Sequence, residues 1–464
     1  MTIDGKGTMS RGMKRRGSAA AASVLALTLV LSACGTRLDE DAVRNAQTTT
    51  SEEIVESSPG AVREGARGEG VTTGPARQTV SVPSQPPAIR TNDRTGVGTG
   101  TIKVGGIFPL SGGLSALGRP VEQAARAYFR HVNDTGGVNG RRIEFIAEDD
   151  AADPNRTRSA AEKLVNQDKV FVMGPSFTPF SPDLVGFLED RGVPFIGFDG
   201  NTVDGFKSAS TVSLGASIPP HAEVLVPYWY RKTKAQRVGV VYLDVPPARE
   251  YLEHTRDVVC PKLGCEVVAE QPIQFTTTDY TSILLAMRSA QVNGVFIVTD
   301  PASAIKLLLQ ARAQNYRPSP GGYLGQHGIY LDLVPESCGT FCNGIMAPTS
   351  LFPPTVPNAA TNEMRRVVGT YYKDVEYGYF TELGYASARM LVDLIKRTGA
   401  DLERASLLAT ARSLTRYDTG GFTNPKRPID ITPGVEHPRD MIIVRMQDEK
   451  WVQESGWLPP GDFS

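Results

Sequence analysis

The stretch Gly112–Pro120, GGLSALGRP, comes within two residues of a nucleotide-binding loop. Gly113 and Gly118 frame four residues, as in G-x4-G-K-S/T, but Arg119 stands at the Lys position and Pro120 at the Ser or Thr position. Phosphate chemistry needs that Lys on the β/γ-phosphates and that hydroxyl on Mg²⁺, so the loop disfavours nucleotide hydrolysis. Its remaining geometry is a strand, a Gly-rich turn and a helix starting near Pro120. Exposed N–H groups at such a start attract a carboxylate as readily as a phosphate, although a tight connection without ligand is the plainer alternative.

Other reactive residue types do not assemble into a catalytic set. The five histidines, His131, His221, His254, His327 and His437, are scattered, and neither GxSxG nor HExxH occurs. Asp149-Asp150 follows a strand-like run, but neighbours in an extended segment point to opposite faces, which favours a solvated strand end over a carboxylate dyad. Neither a cofactor motif nor a catalytic residue emerges.

The cysteines fall into two groups. Cys34 closes the tetrapeptide LSAC, the pattern read by bacterial lipoprotein processing, after a basic start (Lys6, Arg11, Lys14, Arg15, Arg16) and an uncharged stretch from Gly17 to Ala33. This implies cleavage before Cys34, a lipid on its sulfur and an extracytoplasmic protein held at the cell membrane by that anchor only. The rest are spaced as Cys260-x4-Cys265 and Cys338-x3-Cys342. Outside the cytoplasm, even numbers at close spacing favour disulfides. Three pairings are open, of which the two local ones need least chain rearrangement; a metal site competes, but no histidine lies near either pair.

Composition places these residues in a frame. Residues 1–33 carry five basic side chains and Asp4, a net +4, so the remainder has a formal charge of −5 against −1 for the whole chain. That balance disfavours nucleic acid and anionic membranes as partners. All 17 Phe, 15 Tyr and 3 Trp lie at or beyond Phe108, and residues 34–100, rich in Ser, Thr, Pro, Gly and charge, read as a disordered tether.

From Thr101 short apolar runs alternate with helical spacings. TIKVGGIF, RIEFIAED, VFVMG and VPFIGF read as strands, separated by helices through PVEQAARAYFRHVND, RSAAEKLVNQ and SPDLVGFLEDR. The alternation restarts after Pro219-Pro220 with RVGVVYL, CEVVAEQPI, GVFIVT and GGYLG. This predicts an α/β protein of two lobes, each a parallel sheet with helices on both faces. Three late helices, around residues 362–375, 380–399 and 402–414, come without strands between them, so the chain crosses between lobes more than once.

Residues Ile102 to Val165 resemble the leucine/isoleucine/valine-binding family of periplasmic substrate-binding proteins. The specific elements are PLSG after the first strand, GGVNGRRIE before the second and DDAADP after it; DYTSILLAMRSAQVNGVFI, GYASARMLVDLIKRTG and IIVRMQDEKWVQ extend the likeness over about residues 101–456. The resemblance implies a type I Venus-flytrap fold. Its lobes are expected at 101–218 plus 350–428 and at 219–349 plus 429–464. It also implies a monomer that delivers a small solute to an ABC-type permease and its ATPases, with no covalent step.

Family contacts carry over one at a time. The carboxylate-holding hydroxyl falls on Thr178, with Ser176 nearby, and the contacts after the fourth strand fall on Asp199 and Asn201. The second lobe's wall falls on Thr299 and Asp300, and His327, in GQHG, occupies the place of the acid that commonly pairs with an amino-acid ammonium. Leu117 stands where an aromatic often covers the ligand. The family's disulfide positions here are Ala152 and Phe177, lost together. An imidazole cannot replace a carboxylate as counter-ion, though Asp199 or Asp300 could. The ligand implied is a branched-chain amino acid or a related small solute: an amide, or a small or aromatic acid. Rival readings are a ligand-sensing regulatory module of the same fold and an exported enzyme.

Overall fold

The first apolar run after the polar N-terminal region, Thr101–Phe108, forms strand β1 of the computed structural model, which describes residues 89–199, 203–435 and 439–463. The leader, Cys34, most of the tether, Asn201 and His437 lie outside the described residues. From Ile102 onward β1 is almost continuously buried, as an inner parallel strand covered on both faces must be. It leads into α1 (Ser115–Asp134), β2 (Arg142–Asp149), α2 (Pro154–Glu162), β3 (Val172–Met173), α3 (Ser181–Glu189), β4 (Phe195–Phe198) and β5 (Thr211–Ser213). These strands make an all-parallel sheet in the order β2-β1-β3-β4-β5.

Helix α4 (Ile218–Thr233) opens the second half. Then follow β6 (Arg237–Leu243), α5 (Pro246–His254), α6 (Cys260–Leu263), β7 (Glu266–Ile273), α7 (Thr281–Ser289), β8 (Gly294–Val298), α8 (Pro301–Ala313), β9 (Gly322–Gly325), α9 (Leu333–Cys338) and β10 (Met346–Thr349). The chain returns to the first sheet through α10 (Ala359–Tyr371), α11 (Tyr379–Thr398) and α12 (Arg404–Arg412); α11 packs on α1, β4 and α12. It crosses back for β11 (Ile442–Gln447) and β12 (Lys450–Gln453), an antiparallel pair on the β10 edge. Asp448 and Glu449 turn this hairpin with φ of +51° and +62°, the two positive values a type I′ turn requires. The second sheet runs β12-β11-β10-β9-β8-β6-β7 and is parallel except at that edge. The molecule is thus a two-lobed α/β protein. Its two fully buried tryptophans satisfy their polar ends: Trp229 Nε1 donates to Gly321 O at 2.7 Å and Trp451 Nε1 to Leu331 O at 2.9 Å.

Three details depart from the sequence expectations. Helix α1 begins at Ser115 rather than near Pro120, because the carbonyl of Leu114 accepts the N–H groups of Leu117 and Gly118 (2.9 and 3.0 Å) and closes the first turn early. Gly118 permits this: a Cβ there would lie 2.4 Å from Pro109 O. Residues 89–100, assigned by composition to the tether, are docked. Asn92 N and Arg94 donate to Glu403, and Arg404, almost fully buried, pairs with Asp93 (2.9 Å) while donating to the carbonyls of Phe171 and Val170. Asp150, expected in solvent, is fully buried and accepts from Ala152 N (2.9 Å) and Thr157 Oγ1 (2.7 Å). The sulfurs of Cys260 and Cys265 are bonded, as are those of Cys338 and Cys342.

Candidate functional site

Parallel strands aim their carboxyl ends, and the helix starts that follow, at one edge of each sheet. Here the two edges face each other across a cleft enclosing about 520 Å³ of atom-free space, open solvent included. The first lobe contributes Leu114 and Leu117 at the start of α1, Phe177 and Pro179 after β3, and Phe380 at the start of α11. The second contributes Leu243, Val245, Pro247 and Ala248 around the β6–α5 turn, Val298 at the end of β8 with Thr299 and Asp300 after it, and Gln326 and His327 after β9; Ile218 is the first residue of α4. The wall is predominantly apolar. Phe177 and Phe380 stand edge to face with ring centroids 5.0 Å apart, supplying aromatic surface that Leu117 lacks.

Of the residues singled out from sequence, Leu117, Thr299, Asp300 and His327 line the cavity. Ser176, Thr178 and Asp199 are buried and are not among its lining residues. Ser176 Oγ accepts from Ile107 N (3.1 Å) and lies 3.2 Å from Gly174 O, so it ties β1 to the β3 loop. Thr178 Oγ1 accepts from Phe180 N (3.3 Å), while its neighbours Phe177 and Pro179 reach the cavity. Asp199 sits behind Tyr379, whose hydroxyl makes a long 3.5 Å contact with Oδ1, and its Oδ2 has no partner among the described residues. Burial pushes this carboxyl up to about 7, with the tyrosine only partly opposing.

The polar groups at the wall are mostly engaged with one another. Asp300 caps α8, accepting from Ser303 N through Oδ1 (3.0 Å) and from the Thr299 hydroxyl through Oδ2 (3.1 Å). Gln326 Nε2 donates to Thr299 O at 3.3 Å. His327 is only 5% exposed, and its Nδ1 has no hydrogen-bond partner among the described residues. Its ring lies 4.4 Å from that of His221 on α4, 4.7 Å from Tyr379 and 5.9 Å from Phe380. Burial, and then the adjacent His221, hold the His327 imidazole well below its ordinary pKa, and burial pushes His221 down to about 3, so both rings are neutral. Sequence reasoning missed Phe177, Phe380, Tyr379 and His221 as site residues; the run of aromatics leading into α11 was a signal for Tyr379 and Phe380.

Facing strand ends with a mostly apolar cavity between them define a two-lobed α/β module with a cleft between its lobes. The chain belongs to the periplasmic binding protein family, whose model matches residues 101–450. A Leu/Ile/Val-binding protein homologue of Brucella abortus is 24% identical over 239 residues, which is 48% of this chain and 59% of that relative's length. Among solved structures, a fatty acid ABC transporter substrate-binding protein from Thermomonospora curvata superposes with a TM-score of 0.71 at 22% identity, over 80% of this chain and 95% of its own. A branched chain amino acid ABC transporter structure from Thermus thermophilus with bound valine gives 0.70 at 18%, over 79% and 98%. These likenesses fix the fold.

Proposed function

We propose that this chain is an extracytoplasmic solute-binding lipoprotein of an ABC-type importer. It captures a branched-chain amino acid or a related small solute, such as an amide or a small or aromatic acid, by closure of its lobes. The observation carrying this reading is the cavity walled from both lobes: a solute touching both walls favours the closed arrangement by its differential affinity. The lobes are assigned to 101–218 plus 350–428 and to 219–349 plus 429–464, a division supported by the residues each sheet draws together. LSAC at Leu31–Cys34 supports lipidation of Cys34; among the described residues no helix is long and apolar enough to cross a membrane.

The test is a thermal-shift screen of the purified protein against amino acids, amides, alcohols and small acids. A solute at 100 times its dissociation constant adds about 2.7 kcal/mol. A panel that moves nothing overturns the reading. Cys34→Ser is expected to release the protein from membranes.

A further inference from the structure

We propose, resting on the solute-binding reading above, that the cavity selects an uncharged, largely apolar solute bearing one hydrogen-bonding group, and discriminates against both carboxylates and zwitterionic amino acids. The first ground is the wall's charge inventory. Among the described residues no Lys or Arg lines the cavity, and its one acid, Asp300, already has both carboxyl oxygens engaged in capping α8 and holding Thr299. A carboxylate entering here would meet an acid and no cation, and a buried charge without a partner is strongly disfavoured.

The second ground is the backbone. Helix starts are natural carboxylate sites because their first N–H groups are unbonded. Helices α4, α5 and α8 all begin at this cavity, and each carries proline in its first turn: Pro219 and Pro220, Pro246 and Pro247, Pro301. Proline has no N–H to offer. At α5 the next two donors, Ala248 N and Arg249 N, both turn inward to Val245 O at 3.1 Å. At α8, Ser303 N and Ala304 N are taken by the side chain and carbonyl of Asp300. At α5 and α8 the N–H groups open to an anion are thereby reduced.

Beside Gln326 and Thr299, a polar group left for recognition is His327, which lines the cavity and whose Nδ1 has no partner among the described residues. A neutral imidazole provides one donor and one acceptor, which matches an amide or a hydroxyl. The surrounding leucines, valines and the Phe177–Phe380 pair receive the apolar body.

The test uses ligands of one carbon skeleton that differ only in charge: 4-methylpentanamide and 4-methylpentan-1-ol, 4-methylpentanoate, and leucine. They are titrated calorimetrically into the full chain carrying Cys34→Ser, alongside benzamide, benzyl alcohol and benzoate. The expected result is that each neutral member binds about tenfold or more tightly than its charged counterparts, and that Leu117→Arg narrows or reverses the preference for amide over acid. Tighter binding of leucine or of either carboxylate by the Leu117 protein overturns the selectivity while leaving solute binding intact. Silence from every charged and neutral member overturns the solute-binding reading and the selectivity with it.

Discussion

Asp199 shows how a residue can belong to a candidate site's surroundings without touching the cavity. Its carboxyl is buried behind Tyr379 with one oxygen lacking a partner among the described residues, and burial pushes its pKa up to about 7. The unfolded group titrates near 3.9. Between about pH 4 and 7 the unfolded chain therefore releases a proton that the folded chain keeps, so stability falls as pH rises, by at most about 1.4 kcal/mol per unit. Below that window there is no penalty; above it the penalty is constant. Asp199→Asn cannot ionise, so its stability relative to the parent is expected to rise across the window and then level off. Glu382 is also buried with its carboxyl pushed up by desolvation, but it acts equally in both chains and cancels in the difference. Urea unfolding of both proteins at several pH values reads this out; a pH-independent difference would contradict it.

The loop before α1 depends on a cap from another element. Asp149, the last residue of β2, accepts from Leu110 N (2.9 Å), Ser111 N (3.1 Å), Ser111 Oγ (2.6 Å) and Ala151 N (2.9 Å), and so anchors the turn leading to Leu114 and Leu117. Burial works upward on this carboxyl, yet the bonds from Ser111, Ala151 and Leu110 outweigh it and hold it down to about 2. The stabilisation is present above the unfolded pKa near 4 and lost as pH falls toward 2. Asp149→Ala is expected to cost about 1–3 kcal/mol at neutral pH, with the deficit shrinking on acidification; a deficit equal at pH 7 and near pH 2 would rule the cap out. At this scale the sequence is readable where an element is long and apolar. The runs giving β1, β2, β6, β7 and β8 stand out, whereas β5 is three residues and β10 contains Pro348, so neither carries a period to read. Thr299, Asp300 and His327 could be located because the family resemblance places contacts after the strands they follow. Phe177 and Phe380 could not be paired, because over 200 residues separate them and only the packing of α11 on the first lobe brings their rings together.

The two lobes meet on either side of the cavity, and one meeting point involves the first glycine of the near-nucleotide loop. Gly113 lies under Phe275, which follows β7 in the other lobe; a Cβ on Gly113 would stand 2.7 Å from that ring. Elsewhere His327 of the second lobe packs on Tyr379 and Phe380 of the first, and Leu331 bridges to Gly378. The glycine required here therefore serves lobe approach rather than phosphate binding. Gly113→Val places branched carbons where Phe275 must sit only when the lobes are together, so an overpacking cost of about 1–3 kcal/mol falls on the closed arrangement and not on either lobe's own fold. Affinity for any solute held by both walls is expected to fall about 5- to 100-fold, with the melting temperature of the solute-free protein unchanged. Adding Phe275→Ala relieves the clash and is expected to restore most of the affinity, a coupling that a double-mutant cycle measures directly. Equal affinities for the parent and Gly113→Val, or a failure of Phe275→Ala to restore binding, would show that this contact does not govern closure.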